Sequence, residues 1–108
     1  MRWSSAVAVL LVFALVGCGG GKTHASARPA SVITKAKAAF ARARARGVDM
    51  SRGPCLGVVA PGWVADVAHN PRQPVDDVPR NQCAAFRSGK AKHFVELDPQ
   101  GNLIRTGP

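Results

Sequence analysis

The chain has 108 residues, 46 % hydrophobic and 19 % charged, and its 15 Lys and Arg against 6 Asp and Glu give a formal charge of +9. A chain this short holds one domain at most and buries only a modest core, so a covalent staple is expected. The excess charge suggests nucleic acid, but its distribution argues against it: between Cys18 and Gly53, Lys22, Arg28, Lys35, Lys37, Arg42, Arg44, Arg46 and Arg52 are set against Asp49 alone, whereas the chain from Pro54 onward is nearly neutral.

The chain opens as a secretory signal does, with a basic start at Arg2, an apolar run from Ala6 to Val16 and small residues after it. That run is too short for a permanent membrane-spanning helix, which takes about 20 apolar residues. It closes on Leu15-Val16-Gly17-Cys18, followed by Gly19-Gly20-Gly21. This ordering resembles the lipobox of bacterial lipoproteins. The resemblance covers the first eighteen residues only and implies that cleavage follows Gly17 and that Cys18 carries a thioether-linked diacylglycerol. It further implies that the new amino group can be acylated. Two or three acyl chains hold a protein on a membrane where one does not, because each buried CH₂ adds about 0.8 kcal/mol. The expected organisation is a cleaved signal (1–17), a lipidated flexible tether (18–30) and a small α+β domain (31–108) outside the cytoplasm in the cell envelope.

With Cys18 assigned to lipid, Cys55 and Cys83 remain as an even pair, which in an oxidising compartment reads as a disulfide. Closing the loop between them is worth roughly 3 to 4 kcal/mol. Neither lies in C-x-x-C or beside a histidine, so redox and metal roles have no local support.

After the Gly-, Ser- and Ala-rich tether, Ser31 is placed to cap a helix from Val32 to Arg46, with Gly47 as its stop. Val32, Ile33, Ala36, Phe40 and Ala43 share one side, with Lys35, Arg42 and Arg46 along one edge and Lys37 and Arg44 along the other. The stripe suits either a core helix on a sheet or an interfacial helix on lipid. Its few large apolar residues favour the core, leaving the basic edges free for an anionic membrane surface, where each cation contributes about 1 kcal/mol.

Two β-prone runs follow, Cys55 to Val59 and Gly62 to Ala68, parted by Ala60-Pro61-Gly62. In the second, Trp63, Ala65 and Val67 share one face and Val64, Asp66 and Ala68 the other. Asp77 is expected to cap a helix from Val78 to Arg87 that turns Cys83 and Phe86 toward the core. A hairpin completes the chain: Lys92 to Leu97, the turn Asp98-Pro99-Gln100-Gly101, then Asn102 to Thr106, with Phe94 expected opposite Ile104 or Leu103. The fold class is thus α+β, helix plus two strands, then helix plus hairpin, with one disulfide.

Chemistry-bearing residues are sparse. His69, His93, Asp66, Asp76, Asp77 and Glu96 show no metal-ligand spacing, and neither a nucleophile motif nor a phosphate loop occurs, so no cofactor or metal is expected. The reading that emerges is an envelope lipoprotein whose domain binds rather than catalyses. Exposed Trp63 beside Arg72 or Arg87 would mark a partner surface. The alternatives are a periplasmic inhibitor or immunity-type protein, and a small hydrolase or metal-dependent enzyme that needs His69, His93 and Asp66 together in one pocket.

Overall fold

Two antiparallel hairpins, joined side by side through a parallel pairing, form the frame of the α+β domain in the computed structural model, which describes residues 28–108. The expected signal sequence, Cys18 and Gly19-Gly20-Gly21 lie outside the described residues. Helix α1 (Pro29–Ala45) precedes strands β1 (Cys55–Ala60) and β2 (Trp63–Val67). A crossover then carries 3-10 turns at Pro74–Asp77 and Pro79–Asn81 and the single-turn helix α2 (Ala84–Arg87). Strands β3 (His93–Leu97) and β4 (Leu103–Gly107) complete the sheet, whose order is β1-β2-β3-β4. Among the described residues, no helix is long and apolar enough to cross a membrane.

Helix α1 starts earlier than its sequence suggests. Pro29 takes the first helical position, where its fixed φ fits and its missing N–H costs nothing. Ser31 is therefore inside the helix and its hydroxyl donates to the Arg28 carbonyl at 2.8 Å, while Arg28 occupies the cap position. At the other end Gly47, at φ 80°, follows as expected. The competition for the apolar stripe resolves toward the core: Val32, Ala36, Ala39, Phe40 and Ala43 are buried. Alanine at three of these five positions brings the helix axis close to the sheet. The strand residues beneath are Ala65, Val67, Val95 and Leu97, all essentially inaccessible, with Trp63 partly buried at the margin.

The parallel β2–β3 register pairs Trp63 with His93, Val64 with Phe94, Ala65 with Val95 and Asp66 with Glu96. Side chains alternate between faces along a strand. The helix-side face thus carries Trp63, Ala65, Val67, His93, Val95 and Leu97, and the opposite face carries Val64, Asp66, Phe94 and Glu96. Part of this second face is covered by the crossover, through a small cluster of Val64, Cys83 and Ala91 with Cys55, Ala85 and Phe94 packed against it. The Cys55–Cys83 disulfide, with Cα atoms 5.0 Å apart, ties the crossover to the first strand.

The helix expected from Val78 to Arg87 is broken. Gln82 and Cys83 are extended, which lets Cys83 reach Cys55, and only Ala84–Arg87 turns as α-helix. Asp77 caps nothing; its carboxylate takes the Arg72 guanidinium at 2.8 Å. Phe86, expected in the core with Cys83, is 41 % exposed. In the final hairpin the Asp98 carboxylate accepts from the Gln100 and Asn102 backbone N–H groups, each at 2.9 Å, which shapes the turn. An irregularity between Glu96 and Leu97 shifts the register. Leu97 then faces Leu103, Glu96 faces Arg105, and Phe94 faces Gly107 rather than Ile104 or Leu103. Gly107 suits that pairing because the Phe94 ring fills the space a Cβ would need.

Candidate functional site

On the sheet face opposite α1 lies a cleft of about 380 Å³, floored by Val64, Asp66 and Glu96 and walled by Phe86, Phe94 and the arginines. Strands β2 and β3 supply the carboxylates, because parallel pairing sets Asp66 directly beside Glu96. Glu96 is buried and each of its oxygens meets a guanidinium, Arg72 at 3.4 Å and Arg105 at 3.5 Å. Arg105, from β4, also lies over the Phe94 ring, 5.1 Å from its centroid. Phe86 meets Phe94 edge to face at 5.3 Å, forming an aromatic wall.

Asp66 is in a different situation. Its Oδ1 is buried and, among the described residues, has no hydrogen-bond partner. Desolvation first, and the neighbouring Glu96 charge second, push its carboxyl up to about 7, against the opposing pull of Arg72 and Arg105. Near neutral pH this group is poised between a proton donor and a carboxylate.

A second polar centre organises the crossover. The Asp76 side chain is fully buried and accepts from the His69 backbone N–H at 2.9 Å, the Gln73 N–H at 2.8 Å and the His69 ring Nδ1 at 3.0 Å. Burial alone would raise its carboxyl, but the hydrogen bonds from Gln73 and His69 outweigh burial and hold it below the usual range. Gly53, at φ 64°, passes so close that a Cβ there would sit 2.5 Å from Asp76 Oδ1. The His69–Asp76 pair thus fastens a loop. Among the described residues the His69 ring hydrogen-bonds to no serine hydroxyl or thiol, and Cys55 and Cys83 are joined to each other.

Comparisons with protein-family models, curated proteins and solved structures find no match to this chain. The site therefore stands on its own geometry.

That geometry regroups the residues singled out in the sequence. Trp63 packs at the margin of the helix-side core and stacks on His93, ring centroids 4.7 Å apart, whereas Arg72 and Arg87 line the cleft on the other face. The surface expected from Trp63 with Arg72 or Arg87 does not assemble around the tryptophan; only the arginines come together. His93, Asp66 and His69 are separated likewise: His93 is on the helix side, Asp66 is in the cleft, and the His69 ring is turned to Asp76. Among the described residues, no group of three or more His, Cys, Asp or Glu is placed to hold a metal ion. Sequence reasoning missed the Asp66–Glu96 pair, Arg105 and the aromatic wall. Their only sequence signal is a period-two pattern in each strand, and joining them needs the parallel register.

Proposed function

We propose that this chain is a bacterial envelope lipoprotein, anchored through lipid on Cys18, that displays a small non-catalytic binding domain outside the cytoplasm. The observation that carries the reading is the sequence Leu15-Val16-Gly17-Cys18 at the end of an apolar run and ahead of a glycine spacer. The Cys55–Cys83 disulfide supports it, because such bridges persist in oxidising compartments.

The charge layout supports the same placement. Lys35, Lys37, Arg42, Arg44 and Arg46 are exposed on or just beyond α1, and none has an ion-pair partner among the described residues. The chain from Cys18 to Pro29 reaches at most about 40 Å at ~3.6 Å per residue, so α1 stays near the anchoring membrane. An anionic surface under α1 leaves the cleft, on the far side of the sheet, turned toward the envelope space. That arrangement suits a displayed binding module.

The test is replacement of Cys18 by Ala. Metabolic labelling with palmitate should be lost and the domain should leave the membrane fraction. Persistent labelling and retention would overturn the assignment.

A further inference from the structure

The polar groups of the cleft are unequally satisfied. Glu96 is matched by Arg72 and Arg105, and Arg72 is further held by Asp77. Arg87, by contrast, donates only to the Pro79 carbonyl, at 3.4 Å, and has no carboxylate partner among the described residues. Asp66 Oδ1 is buried without a partner. The same cleft is lined by Phe86 and Phe94, which meet edge to face, and by Val64 and Cys83.

We propose that this cleft binds a small apolar monocarboxylate, whose carboxylate pairs with Arg87 while its apolar group lies on the Phe86–Phe94 wall. The inference deepens the reading of a displayed binding domain and rests on it only for the binding role. Three arginines against two acids in the lining disfavour an amine. About 380 Å³ falls at the low end for small-molecule sites and admits a ligand of roughly one to two residues. Charge-assisted pairing with a guanidinium supplies the specificity, and the half-exposed Phe86 ring supplies apolar area that now faces water. A peptide C-terminus ending in an apolar residue and a free fatty acid share this chemistry.

The test is equilibrium dialysis on the full chain carrying Cys18→Ser, so that its outcome is independent of the lipid anchor. The probes are N-acetyl-L-phenylalanine, its neutral amide, octanoate and phenethylamine. One-to-one saturable binding of an acid is expected, weakened at least about tenfold in the amide and in Arg87→Gln. Arg87 is exposed and makes one carbonyl contact, so that variant should keep the parent melting temperature. Tighter binding of the acetylated amino acid supports a peptide source, and tighter binding of octanoate a fatty-acid source. Equal binding of acid and amide, preference for the amine, indifference to Arg87→Gln, or no saturable binding of either acid would overturn the proposal.

Discussion

Asp66 and Glu96 stand directly opposite each other in the parallel β2–β3 register, two carboxylates on one face of a four-stranded sheet. Glu96 has a guanidinium on each oxygen, whereas Asp66 has a buried oxygen with no partner and a carboxyl pushed up to about 7. The folded state therefore keeps a proton that the unfolded chain releases from about pH 4 upward. The native state binds more protons in that window, so stability falls as pH rises from about 4 to about 7 and then levels off. At about 1.36 kcal/mol per pKa unit the fall is at most about 4 kcal/mol. Asp66→Asn removes the titrating group and should flatten this stretch of the profile. Urea denaturation from pH 4 to pH 8 on both chains checks it; an unchanged slope in the variant would contradict the assignment.

Below that window the sign reverses. Asp76 is held low by its hydrogen bonds, so its contribution is present above the ordinary carboxylate range and lost as pH drops through its folded value. Asp76→Ala leaves the His69 and Gln73 N–H groups without their acceptor and should cost about 3 kcal/mol, at 1 to 3 kcal/mol per unsatisfied group. Gly53→Ala should destabilise the same place by at least about 1 to 2 kcal/mol, from its left-handed conformation before any clash with Asp76 is counted. Thermal melts of both variants test this. A neutral Gly53→Ala would mean that the loop does not pack on Asp76 as described.

The Cys55–Cys83 bridge fastens the crossover to the sheet and closes a loop with a sequence separation of 28. Replacing both cysteines by alanine should cost roughly 3 to 4 kcal/mol, read as a lower urea midpoint. The loss should be accompanied by faster hydrogen exchange in the crossover, while β3 and β4 retain their protection.

Features set by neighbours in the chain are legible in the sequence, whereas those set by distant contacts are not. Local chemistry was readable: the helical spacing of Val32, Ala36, Phe40 and Ala43, the alternation from Trp63 to Ala68, the Asp98 turn and the even cysteine pair all appear in the structure. The misplaced features answer to long-range constraints. Cys83 is drawn out of a helix by its bond to Cys55, and Asp77 is taken by Arg72. Phe94 lies three residues before Leu97, which faces Leu103 at the start of β4, so it pairs near the far end of that strand, at Gly107. The cleft was unreadable for a related reason. Its carboxylates lie thirty residues apart in sequence and meet only because the crossover brings β3 parallel to β2.

The basic face of α1 yields a prediction of its own. Chain with Cys18→Ser should bind vesicles containing anionic lipid, and binding should weaken steeply with salt. Changing Lys35, Lys37 and Arg42 to glutamine should reduce affinity by roughly 3 kcal/mol, at about 1 kcal/mol per charge. Because all three are exposed, their replacement should leave the melting temperature unchanged. Sedimentation with phosphatidylglycerol and phosphatidylcholine vesicles separates the outcomes; equal binding to both lipids would remove the electrostatic role.

The anchor at Cys18 is read out by the intact mass and the N-terminal fragment mass of the protein purified from membranes. The mature chain should begin at Cys18, and this residue should carry diacylglycerol, with or without an amide-linked acyl chain. An unmodified Cys18, or a mature chain beginning elsewhere, would contradict it.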